Sequence, residues 1–144
     1  MKIKATLIAL ALTMVISILT SCSKSPKEML TGEFKVTEIT TDLKMSPEET
    51  ENWKIGIEEA KKSTITLNAD GTMQKTDFGV TEKGTWEVYG EEGEEGEHLC
   101  LKLIMENKAT YNMEIHNLTS TGFVNIVRNE SPKCTYTNTY TKVK

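Results

Sequence analysis

Few side chains in this sequence could do chemistry, and their spacing narrows the choice further. The two histidines, His98 and His116, are single, with no His-x-His pair. The three cysteines, Cys22, Cys100 and Cys134, contain no Cys-x-x-Cys. A zinc site needs three or four converging ligands, so no metal and no cofactor is expected. No Gly-x-Ser-x-Gly is present, and Cys134 follows Pro132 where a strand should start, which reads as a packed cysteine. Glu48-Glu49 and Glu58-Glu59 are consecutive on a predicted helix, so each pair diverges and reads as a solvated face. The run from Glu91 to Glu97 has the oxygens calcium wants but lacks alternating Asp/Asn ligands. It reads as the solvated tip of a hairpin. Nothing assembles a nucleophile, a base and an oxyanion site, so no enzyme is expected.

The remaining chemistry is that of a cavity. Trp86, Tyr111, Met113, Tyr136 and Tyr140 could form apolar walls, with Asn125 and Arg128 as polar handles. Binding sites combine such walls with a few polar groups, so the expectation is a small apolar or amphipathic ligand. The alternative is that the same side chains fill a core. The protein would then be an envelope interaction module working through its loops and its helix.

Positioning these residues requires strands. Ser63 to Tyr89 alternates apolar and polar residues and turns on Asp70-Gly71, a strong hairpin signal. Similar alternation runs through 97–105, 109–116 and 134–143, 122–128 is apolar on both faces apart from Asn125 and Arg128, and Phe34 and Val36 open an earlier strand. Short connections imply antiparallel neighbours. The expected fold is mainly β, an eight-stranded antiparallel up-and-down barrel with one helix between strands 1 and 2. Eight strands suffice to close a sheet, and a two-sheet sandwich is the rival. The helix should start at Ser46-Pro47-Glu48-Glu49, which offers a capping box and a proline at the first helical position. It should run to Lys62, presenting Trp53, Ile57 and Ala60 on one face, with a break possible at Gly56. That face must pack on the sheet.

The first residues are set apart. Met1 to Lys4 is basic, Ala5 to Leu19 is apolar but for Thr6, Thr13 and Ser17, and small residues follow. This describes a secretory signal over 1–21. Residues 22–29 then read as a flexible tether and 30–144 as one domain. Beyond residue 21 the chain has fifteen basic against twenty-one acidic residues, a net charge of −6, with a single arginine. That balance speaks against nucleic acid and against electrostatic docking on anionic lipid. A monomer is expected. An oxidising compartment permits a Cys100–Cys134 disulfide, but each also reads as a small buried hydrophobe.

Two resemblances add to this. Leu19-Thr20-Ser21-Cys22 resembles a bacterial lipobox, which implies diacylglycerol on the Cys22 sulfur and acylation of its amino group. The protein would then be held by lipid on a bacterial membrane, the outer one favoured. Surface-exported lipoproteins of this kind carry acids just after the cysteine. Ser23-Lys24-Ser25-Pro26-Lys27 has none, so the periplasmic face is favoured. From Leu30 onward the chain is similar to a lipocalin-like domain of Bacteroidetes-type lipoproteins. The carrying residues are Leu30-Thr31-Gly32-Glu33-Phe34-Lys35-Val36, Leu67-Asn68-Ala69-Asp70-Gly71-Thr72 and Gly84-Thr85-Trp86. Phe34 stands where tryptophan is usual. The resemblance implies a barrel and suggests a ligand.

Overall fold

The Asp70-Gly71 hairpin sets the pattern of the fold. Gly71 adopts φ +87°, which an L side chain rarely tolerates, and the Asp70 carboxylate accepts from the Thr72 amide and hydroxyl at 2.9 and 2.6 Å. The computed structural model describes residues 24–93 and 96–143, without the side chains of 91–97. The signal segment and Cys22 lie outside the described residues.

Among the described residues two helices and eight strands follow in order: α1 (Pro26–Leu30), β1 (Gly32–Thr41), α2 (Pro47–Ala60), β2 (Thr64–Leu67), β3 (Thr72–Asp77), β4 (Val80–Gly93), β5 (Gly96–Met105), β6 (Thr110–Thr119), β7 (Gly122–Glu130) and β8 (Lys133–Val143). The strands form a closed barrel in sequence order, each antiparallel to the next, and β1 pairs with β8 to close it. The expected fold class is therefore observed, with α2 between strands 1 and 2. Closure leaves no sheet edge to aggregate. Two glycines let neighbouring strands approach. A Cβ at Gly84 would lie 2.1 Å from the Ile104 carbonyl oxygen, and one at Gly122 2.2 Å from that of Tyr140.

Three local expectations change. The stretch read as a tether contains α1. Ser25 caps it, its hydroxyl accepting from the Glu28 amide at 3.2 Å while the Glu28 carboxylate accepts from the Ser25 amide at 2.7 Å. Leu30 then anchors the helix in the core, fully buried. The acidic run is also more ordered in backbone than a loop: β4 and β5 stay paired through Glu91↔His98, Glu92↔Glu97 and Gly93↔Gly96. Finally, α2 is continuous across Gly56 and carries the expected Ser46/Glu49 capping box, yet it buries no residue. Its face of Trp53, Ile57 and Ala60 is only partly covered.

Candidate functional site

Residues directly opposite in an antiparallel pair share a face, so the register sorts every strand residue into inside or outside. The barrel has two ends. The Leu67–Thr72 and Thr119–Gly122 connections lie at the end where α1 docks. The α2 connection and the turns after Asp77, Met105 and Glu130 lie at the other.

The half nearest α1 is filled. Phe34 and Phe123 meet edge to face at 5.1 Å, and Tyr140 stacks on Phe123 at 4.8 Å. Burial pushes the Tyr140 phenol up to about 12. Trp86 is buried, and its indole N–H donates to the Asn68 carbonyl at 2.9 Å. The Lys142 ammonium donates to the carbonyls of Met29 and Thr31 at 2.9 and 2.7 Å, and lies 5.2 Å from the centre of the Phe34 ring. It ties α1 to the last strand.

A polar layer separates this half from the next. Asn125 is 4% exposed and points inward. Its amide nitrogen donates to the Glu114 carbonyl at 3.2 Å, and its oxygen accepts from Asn138 Nδ2 at 3.4 Å. No described buried side-chain polar atom lacks a hydrogen-bond partner.

Beyond Asn125, on β6 and β7, two inward side chains are open to solvent, while Leu103, Met105 and Cys134 at the same end stay buried. Tyr111 pairs with Leu103 and therefore faces inward, yet it is 48% exposed. Val127 pairs with Tyr136 and is 44% exposed. Tyr136 is partly covered by Trp53 of α2, their ring centres 5.6 Å apart. Across the mouth, Lys75 pairs in register with Glu82 and forms an ion pair with Asp77. Its ammonium lies 5.9 Å from the centre of the Tyr111 ring. Burial pushes the Lys75 ammonium below its ordinary range, while the Glu82 charge opposes that shift. Beside the rim, where the first residues of β4 run past the end of β5, Glu82, Met105 and Asn107 help line an open cleft of 470 Å³.

The seven candidate residues thus separate. Tyr111, Met113 and Tyr136 face the inside on the open side of the polar layer. Asn125 forms that layer. Trp86 and Tyr140 belong to the filled half. Arg128 is on the outer wall, because it lies three residues from Asn125 in a period-two strand and must point the opposite way. There it forms an ion pair with Glu114. Burial pushes the Glu114 carboxyl up, but hydrogen bonds from His116 and Arg128 outweigh this and hold it below the usual range.

The outer wall also holds a group that sequence separation concealed. His98 and His116 come together on β5 and β6, stacked at 6.1 Å, with the His116 Nε2 2.6 Å from Glu114. A cleft of 360 Å³ adjoins them. Among the described residues no group of three or more His, Cys, Asp or Glu could hold a metal. Cys134 faces inward with Tyr136, whereas Cys100 pairs with Tyr89 and Glu114 on the outer face. Both are buried free thiols. Opposite faces of one sheet cannot present the facing Cβ atoms a disulfide needs.

No family model matches the chain, and no curated protein matches it. Among solved structures it is similar to a DUF4847 family protein from Bacteroides vulgatus ATCC 8482, with a TM-score of 0.48 and 14% identity, covering 77% of this chain and 93% of that one. No described helix is long and apolar enough to cross a membrane.

Proposed function

We propose that this chain is a non-enzymatic cell-envelope barrel, lipid-anchored at Cys22 on the periplasmic face of a bacterial outer membrane. As a monomer it binds a small amphipathic molecule in its open mouth. One observation carries the reading: Tyr111 and Val127 point into the barrel and remain 48% and 44% exposed. Inward apolar groups are normally hidden, and leaving one wet forfeits roughly 25 cal/mol per Å². An apolar moiety resting on Tyr111, Val127 and Tyr136 would recover that burial. The Lys75–Asp77 pair supplies polar contacts at the rim, and Asn138 of the Asn125 layer supplies them at the floor, in place of Arg128. The Asn125 layer and the packed rings of Phe123 and Tyr140 limit depth, so the ligand inserts a ring or a short chain rather than a long acyl tail.

Lipid extraction and mass spectrometry of protein purified from its own membranes tests this, joined to thermal shifts against short-chain fatty acids and sterols. A co-purified amphiphile or a stabilising ligand is expected. No co-purified molecule and no shift across the panel would overturn the reading.

A second reading has its own support. Phe78 and Val80, at the tip of the β3–β4 hairpin, are 73% and 64% exposed, and Ile55 on α2 is 62% exposed. These apolar groups at the mouth end would suit a protein partner. Crosslinking in cells from position 78 that captures one specific envelope protein favours it over the ligand reading.

A further inference from the structure

The geometry points to an orientation: the α1-sealed end of the barrel rests against the bilayer surface that holds the Cys22 lipid, and the mouth faces away from it. This rests on the lipid anchor proposed above. The argument starts from chain length. Among the described residues regular structure begins at Ser25, where the capping box starts α1. Only Ser23 and Lys24 separate that cap from Cys22. Three residue steps span at most about 10 Å even when fully extended. A barrel whose β1 is 10 residues long stands about 25 Å tall at the usual strand tilt. The tether is therefore shorter than the barrel and cannot let it turn over.

The direction of the short link is fixed by what α1 touches. Leu30 is fully buried in the core at that end, and Lys27 lies 5.9 Å from the centre of the Trp86 ring. Lys24 stands close enough to Lys142 to help depress its ammonium, after burial, which is the larger cause. The chain therefore enters at the end opposite the mouth. Charge does not draw this face to lipid. The β4–β5 tip, with its five glutamates in sequence, lies at the same end as Lys24 and Lys27. Covalent reach sets the distance, and the partner is a phospholipid surface of either charge. In consequence, a ligand reaches the mouth from the aqueous side or from a partner there, not from the leaflet below.

The test uses the full mature lipoprotein added to phosphatidylcholine vesicles. Lysine acylation is followed residue by residue by mass spectrometry. The control carries a Gly-Ser linker of roughly 20 residues inserted between Ser23 and Lys24, long enough to free the barrel and outside the fold. Lys24 and Lys27 should react several-fold more slowly in the native protein than in the control. Lys108 and Lys133, exposed at the mouth end, should react equally in both. Protection that survives high salt fits a covalent cause, since exposed charges are screened within about 8–10 Å. Equal labelling of Lys24 and Lys27 in the two proteins, protection of Lys108 and Lys133 instead, or protection abolished by salt would each overturn the orientation. Intact mass is read on the same sample. A Cys22 without lipid overturns the anchor itself and is distinguished from a failed orientation by that mass.

Discussion

The two ends of this barrel begin from the same local sequence and finish differently. Both helices start with Ser-Pro-x-Glu: Ser25-Pro26-Lys27-Glu28 and Ser46-Pro47-Glu48-Glu49. Both form the full capping box. Yet the five-residue α1 sinks Leu30 into the core, while the fourteen-residue α2 buries nothing. A cap decides where a helix starts. Packing decides whether it matters to the fold, because short helices are marginal in water on their own. The end with α1 is a closed, aromatic core, and the end with α2 is a wet mouth with inward-facing tyrosine and valine.

That contrast can be broken most sharply by truncating one side chain in each half. Phe123→Ala removes a ring that packs on both Phe34 and Tyr140 and should cost about 3–5 kcal/mol. Val127→Ala, on the same strand but half exposed, should cost less than about 1 kcal/mol. Chemical denaturation of the two variants measures both. Similar losses would mean that the mouth is as packed as the base.

Leu30→Ala tests whether α1 is a structural plug. The side chain is fully buried, so a loss of about 2–5 kcal/mol is expected in the same assay. A near-neutral result would return residues 25–30 to the status of a tether. The paired caps give a smaller and more discriminating effect. Ser25→Ala should lower global stability by about 1 kcal/mol, since its helix is coupled to the core. Ser46→Ala should loosen α2 in amide exchange while leaving the global unfolding midpoint nearly unchanged.

Tyr140 offers a pH signature of the filled half. Its folded phenol titrates at about 12, against about 10 unfolded. A raised value means the stabilising contribution is complete below the unfolded pKa and is lost as pH rises through the folded one. Wild-type stability should therefore fall between about pH 10 and pH 12. Tyr140→Phe should flatten that limb and have little effect at neutral pH. An unchanged alkaline slope in Tyr140→Phe would place the phenol in solvent.

Much of this architecture was legible in the sequence. Alternation located most of the strands, an apolar run bounded by turn residues located the one at 122–128, Asp70-Gly71 located the first hairpin, and the strand count suggested closure. The helix before β2 announced itself through Ser46-Pro47 and Glu49. α1 escaped because five residues are too few for a 3.6 period, although its Ser-Pro-x-Glu was present to be read. Arg128 was misplaced for a simpler reason: residues three apart on a strand cannot share a face with each other, and Asn125 had already taken the inner one. The half nearest α1 was read as wall rather than filling because alternation marks the inner face and says nothing of what occupies the centre. Trp86 and Tyr140 look the same in either case. The approach of His98 to His116 depends on the β5–β6 register, and the Lys75–Asp77 pair requires a charged pair at the inward positions of β3. Such a pair survives only where the interior is open to water.

The central claim is that ligand binding belongs to the mouth and not to the packed half. It is tested most directly by titrating isotopically labelled protein with a short amphiphile and following amide and side-chain NMR shifts. The account predicts saturable shifts at Tyr111, Val127, Tyr136 and Lys75, with Phe34, Phe123 and Tyr140 unmoved. Saturable shifts centred on Phe123 and Tyr140, or none at the mouth, would contradict it.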